Sequence, residues 1–188
     1  MLQPPYFNNN GDTASNYGSA GAGMAHEISH SFDELGNIYD AEGRLGNWWT
    51  QKDLKQYHAA SVKLAAQFRW LLSILRSCVN GNQVLGENIA DIAVLLVAHD
   101  AYILSLKGKS DIVTNGLTGE QRFFVAFSQR WCKLQSEPML RRQVKSDPHA
   151  PGEYRSDTVR NVDAWYKAFD VAPGDKLYLK PEDRVRIW

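Results

Sequence analysis

The stretch Met24-Ala25-His26-Glu27-Ile28-Ser29-His30 decides the reading of this chain, because a His-Glu-x-x-His sequence has few uses other than holding zinc. On a helix, His26 and His30 project from one face about a turn apart and can converge on a single ion. Glu27 then stands beside them, placed to take a proton from water rather than to bind the metal. Chemistry at such an ion needs a third protein ligand and an open position.

A second helical stretch offers that ligand. Gly86 to Leu106 is apolar nearly all round, through Ile89, Ile92, Ala93, Leu95, Leu96, Val97, Tyr102 and Ile103, and so reads as the central helix of the core. Glu87 and Asp91 share a face near its start, where two carboxylates need a cation or imidazole partners. The physical reading makes Glu87 the third zinc ligand and Asp91 an acceptor for the free ring N–H of a ligand histidine, fixing its tautomer. The plainer alternative is a pair of solvated carboxylates favoured by the helix dipole. The His-Glu-x-x-His segment argues against it.

At 188 residues the chain is long enough for one well-buried domain and short for two. Lysine plus arginine total 21, as do aspartate plus glutamate, so nothing points to a nucleic-acid or anionic-membrane partner. No apolar run reads as a transmembrane segment, since the longest is interrupted by His99 and Asp100. The N-terminus lacks the basic and apolar regions of a signal peptide. Cys78 and Cys132 are too few for a disulfide framework and read as two free thiols, with a single structural bridge as the alternative. Sulfur ligation of the metal is the weaker idea, because histidines and a carboxylate already make a complete set.

Residues 1–16, rich in Pro, Asn, Gly and Ser, read as an extended lead-in with turns. A helix over Tyr17 to Phe32 follows, with a late start near Gly23 as the alternative; Gly18, Gly21 and Gly23 imply close packing against a neighbour or a substrate. Gly36 to Asn47 is a loop. After Trp48-Trp49-Thr50, a long helix carries a buried stripe through Leu54, Tyr57, Ser61, Leu64, Phe68, Leu71, Leu72 and Leu75, with His58 a surface or packing residue beside it. Asn80-Gly81-Asn82 is a turn signal. Thr118-Gly119-Glu120-Gln121 has the form of a capping box opening a helix to about Leu134, with Phe123, Phe124, Phe127 and Trp131 on its apolar face. Short helices are expected at Pro138 to Val144 and Asn161 to Phe169, separated by a non-helical Asp147-Pro148-His149-Ala150-Pro151-Gly152. The tail from Leu177 is irregular. One mainly helical domain over residues 1–188 is the organisation expected.

His26-Glu27-Ile28-Ser29-His30-Ser31-Phe32-Asp33, Asn47-Trp48-Trp49-Thr50 and Leu85-Gly86-Glu87-Asn88-Ile89-Ala90-Asp91 together resemble the catalytic portion of the neprilysin family of zinc endopeptidases. The likeness continues through Phe123 to Cys132, His149-Ala150-Pro151-Gly152 and Trp188, covering essentially the whole chain. It implies the helical catalytic subdomain of a thermolysin-like zincin, mainly α with little or no sheet. It implies one zinc ion per chain on His26, His30 and Glu87, with Glu27 as general base and Asp91, and also Asp33, orienting ligand histidines. His149 matches the residue that stabilises the tetrahedral intermediate, Asp147 its orienter, and Arg155 the arginine that hydrogen-bonds the substrate backbone. Trp131 and Tyr6 match pocket walls, while Arg130, Gly23 and Ala22 stand where the family usually has bulkier apolar residues.

The implied function is hydrolysis of internal bonds of short peptides; the alternative is a zinc-binding fragment or subunit without peptidase activity of its own. Complete members of that family are several times longer and include a region that forms the cleft edge. An upstream or separate chain is therefore expected to complete the substrate cleft. Bacterial members are periplasmic, secreted or cytoplasmic, and the first two compartments are favoured here.

Overall fold

A computed structural model describes residues 2–69 and 79–187. Asp12 opens the first helical stretch: its side chain accepts from the Ser15 amide at 2.9 Å while Arg122 donates to both its oxygens at 3.0 Å. Helix α1 (Thr13–Asn16) runs without a break into a π turn (Tyr17–Gly21), helix α2 (Ala22–Ser29) and a 3-10 turn (His30–Phe32). The expected lead-in over 1–16 is thus too long by four residues, and the late start near Gly23 is not adopted. Asp12 reads as loop composition, but it is a cap.

The glycines explain how this stretch is seated. A Cβ on Gly18 would lie 2.1 Å from the Phe123 carbonyl oxygen, so only glycine allows the backbones to approach there. At Gly21 the nearest atom would be 3.5 Å away, an ordinary contact.

Thr50 and Asp53 cap helix α3 (Gln51–Arg69) reciprocally, Asp53 accepting from Thr50 N and Oγ1 and Thr50 Oγ1 accepting from the Asp53 amide. Its stripe is buried at Tyr57, Ser61, Leu64 and Phe68, whereas His58 is exposed. Leu71, Leu72, Leu75 and Cys78 lie outside the described residues. Cys132 is a free, exposed thiol.

Helix α4 (Leu85–Ser105) is the core element. Ile89 and Ile92 join Leu64, Phe68 and Tyr154 in one apolar cluster, while Val94, Leu95, Ala98 and Tyr102 join Phe123, Phe124 and Phe127 in another. Its apolar outer side leaves Val97 and Ile103 exposed, at 59% and 40%. By length and hydropathy this helix alone among the described residues is long and apolar enough to cross a membrane. Most of it, however, is buried inside this chain.

The capping box at Thr118 and Gln121 forms and opens helix α5 (Gly119–Gln129). This helix ends five residues before the expected Leu134: Arg130 is its C-cap and the Trp131 amide turns back to Ser128 O. The apolar spacing continued past the stop because Trp131 still packs edge-on to Phe127. Helix α6 (Glu137–Ser146) precedes the non-helical 147–151 segment. Two helical pieces then escaped the sequence reading: α7 (Gly152–Ser156) and a 3-10 turn (Asp157–Asn161). Helix α8 (Asp163–Ala168) is shorter than the Asn161 to Phe169 expected, because a separate turn occupies its beginning. Among the described residues there is no strand, only two isolated bridges.

A buried ion pair ties α7 to α4. Arg155 Nε donates to Asp91 Oδ2 at 2.7 Å and Nη2 to Oδ1 at 2.8 Å, with both residues buried. Burial opposes the charge on Asp91, yet hydrogen bonds from Arg155 and His26 hold its carboxyl below the usual range.

Two measurements test this account of the fold. In urea unfolding, Gly18→Ala should lose about 1–3 kcal/mol or more through backbone overlap, whereas Gly21→Ala should fall between neutral and a gain of about 1 kcal/mol. In a double-mutant cycle, Asp91→Ala and Arg155→Ala should each cost about 3–5 kcal/mol, and the double variant far less than their sum.

Candidate metal centre

Helices α2 and α4 bring together the residues singled out by spacing. His26 Nε2 lies 3.1 Å from Glu87 Oε2 and His30 Nε2 lies 3.8 Å from Glu87 Oε1. The two imidazoles meet edge to face at 4.8 Å, and one ligand atom from each of the three residues falls within 4.8 Å of the others. His26 is buried, while His30 and Glu87 are partly exposed. This combination could hold a metal ion and leave it accessible from outside.

Each histidine has an aspartate at its other nitrogen. His26 Nδ1 is 3.1 Å from Asp91 Oδ1, and His30 Nδ1 is 2.7 Å from Asp33 Oδ2. Asp33 is fixed in turn by the Leu35 and Gly36 amides, which donate to its Oδ1 at 2.8 and 2.9 Å. A carboxylate at Nδ1 favours the hydrogen there and leaves Nε2 free to accept a metal ion.

The fit to a cation also shows in the charge balance. Burial works against a charge on His26, but hydrogen bonding to Asp91 and Glu87 and the Asp91 charge outweigh it, raising its pKa to about 9. Glu87 is held below the usual carboxylate range against its own burial, chiefly by His26 and by the charge of His149. Two nitrogens and a carboxylate oxygen in an environment that stabilises positive charge fit zinc.

The remaining expected residues surround this group. Glu27 sits on α2 next to His26, exposed, and its carboxylate accepts no hydrogen bond among the described residues. His149 Nδ1 and its backbone N–H both meet Asp147 Oδ1 at 2.8 Å, and its Nε2 reaches to 3.2 Å from Glu87 Oε2. Arg155 is buried, its Nη2 3.6 Å from Glu87 Oε2 and its guanidinium carbon 4.0 Å from the Trp131 ring centre. With Nε and Nη2 committed to Asp91, Nη1 is left without a protein partner among the described residues.

Tyr6, Trp131, Asp147, His149 and Arg155 line a single open cavity of about 710 Å³. Gly152 starts α7 against its wall, where a Cβ would lie 2.7 Å from Trp131 O. Arg130 lines the same cavity, but Ala22 and Gly23 do not; both are buried, and Ala22 belongs to the core. Sequence reasoning missed Gln83 and Gln143, whose side-chain amides donate to the carbonyls of Asp147, His149 and Ala150 and so anchor the His149 segment. Isolated glutamines carry no pattern that would have marked them. It also missed Arg155 as the partner of Asp91, although a carboxylate in an apolar helix signals that some cation must face it.

Comparison with known proteins places this arrangement. Residues 1–185 match the model of peptidase family M13. The chain is 35% identical over 189 residues to a neutral endopeptidase of Lactobacillus helveticus, matching all of this chain and 27% of that protein. It is 33% identical over 195 residues to human neprilysin, covering 26% of it. The structure of a zinc metalloprotease of Mycobacterium tuberculosis with an inhibitor superposes with a TM-score of 0.96 at 42% identity, covering all of this chain and 30% of that one. The chain thus spans about a quarter to a third of the length of these relatives. With the match of the family model across nearly its whole length, the chain belongs to peptidase family M13.

Proposed function

We propose that this chain carries the zinc-dependent chemistry of an endopeptidase, hydrolysing internal bonds of short peptides with one zinc ion held by His26, His30 and Glu87. The observation that carries the reading is the convergence of those three side chains, each histidine backed by its own aspartate. When bound there, zinc supplies Lewis-acid activation of water and of the scissile carbonyl.

The chain's own groups supply the rest. Asp91 and Asp33 hold the imidazoles of His26 and His30 so that their Nε2 atoms turn to the Glu87 carboxylate, where the ion would be held. The Glu27 carboxylate accepts the proton of the attacking water and returns it to the leaving amine nitrogen. His149, held at Nδ1 by Asp147, donates from Nε2 to the carbonyl oxygen as negative charge develops there. Arg155, fixed by Asp91, offers Nη1 to a substrate backbone carbonyl, and Tyr6 and Trp131 wall the peptide's cavity.

A second reading is zinc binding without turnover by this chain alone. It is favoured by the share of the relatives spanned, 27% and 26% in the two cited above. There, an upstream segment or a separate chain completes the cleft. The family likeness supports a periplasmic or extracellular setting for either reading.

Zinc content and cleavage separate the two. Calorimetry with elemental analysis should give one zinc per chain, weakened by more than about 100-fold in His26→Ala, His30→Ala and Glu87→Ala. On a quenched fluorogenic peptide, Glu27→Gln should keep its zinc and lose about 10²- to 10⁴-fold in kcat. Zinc bound by the unaltered chain without cleavage selects the second reading; no zinc sinks both.

A further inference from the structure

The cavity beside the metal-ligating residues contains a charge that the proposed chemistry does not use. Arg130, the C-cap of α5, places its guanidinium carbon 5.0 Å from the Trp131 ring centre and 6.0 Å from that of Phe127. Its Nε and Nη1 are buried and make no hydrogen bond, and no carboxylate reaches it within ion-pair distance among the described residues. Arg155, against the same indole, is by contrast paired with Asp91 through two nitrogens.

The surroundings do not neutralise Arg130. Lys133 and Arg142 line the same cavity and likewise form no ion pair among the described residues, while the acidic lining residue, Asp147, is engaged by His149. Arg130 also borders a smaller cavity of about 270 Å³ that includes Asp12, but Arg122 occupies both oxygens of that carboxylate. Burial and the like charge of Arg155 lower the pKa of Arg130, with the more distant charges of Asp91 and Glu27, neither within ion-pair distance, working against them. The chain as a whole has no net charge, so this excess of cations is local.

A half-buried guanidinium without an anion is unfavourable unless a ligand brings one. With Nε and Nη1 buried, Nη2 is the guanidinium nitrogen left to donate its N–H groups to a carboxylate entering the cavity. We infer that the cavity selects peptides bearing a carboxylate and that the Arg130 guanidinium receives it. This rests on the reading that the site binds peptides, and it makes Arg130 a specificity-determining residue rather than a catalytic one.

The test uses fluorogenic peptides in which glutamate is walked through the positions flanking the cleaved bond. Each is paired with its glutamine analogue and made with a free or an amidated C-terminus. Cleavage is read as kcat/KM on the unaltered chain, and binding by fluorescence anisotropy on zinc-loaded Glu27→Gln.

At one position, or at the free C-terminus, the carboxylate form should be favoured about tenfold. Arg130→Gln should abolish that preference and Arg130→Lys restore part of it, with circular dichroism confirming that both fold. The amidated series shows whether a side chain or the C-terminus supplies the group, and either source supports the inference. Equal treatment of every glutamate–glutamine pair and of both termini overturns it, as does a preference that survives Arg130→Gln or an absence of binding by all the peptides. A binding preference without cleavage leaves the inference standing and removes the peptidase reading for this chain. Cleavage without preference does the reverse.

Discussion

The buried contact of Asp91 with Arg155 and His26 is the constraint on which the rest of the site depends. An ionised carboxylate in the second turn of an apolar helix is unfavourable on its own, and here it is offset from two sides. Arg155 takes both oxygens from α7, and His26 meets one from α2. Three segments distant in sequence are thereby held to one point. The apolar packing of α4 brings these segments near one another, but apolar packing is not directional. The carboxylate sets their orientation.

From that point the geometry spreads in a repeated form. His26, His30 and His149 each have Nδ1 on an aspartate and Nε2 towards Glu87. Two of these pairings are local, Asp33 lying three residues after His30 and Asp147 two before His149, so the backbone turn that positions the aspartate positions the ring as well. The pairing of His26 with Asp91 forms only when α2 and α4 dock. In the proposed chemistry this division matters: ring orientation is settled before a substrate arrives, which lessens the reorganisation left for the reaction itself.

Much of the centre was legible in the sequence because it depends on spacing along helices. His26 with His30, and Glu87 with Asp91, need only the turn of a helix to share a face, and both pairs lie where that rule puts them. The stripe at Tyr57, Ser61, Leu64 and Phe68 and the capping box at Thr118 were legible for the same local reason. What escaped was decided by a contact between segments, by a local reversal against the apolar spacing, or by shortness. The start of the first helical stretch turns on Arg122 reaching Asp12 across 110 residues, and the stop of α5 on a chain reversal at Arg130 that the apolar spacing contradicts. Helix α7 follows a proline-rich segment and has only five residues, too short for a period to show.

The separation of His26 from Glu87, 61 residues along the chain, carries a consequence of another kind. A cation shared by α2 and α4 is a reagent in the proposed chemistry, but mechanically it is also a clip that closes a long loop containing α3. Since the ligands are assembled in the folded chain, occupancy adds to stability in proportion to the logarithm of free metal over its dissociation constant. On the proposed chemistry, the resistance of this chain to heat would therefore be tied to the zinc concentration of its surroundings, and a chelator would weaken the fold by the same act that empties the centre.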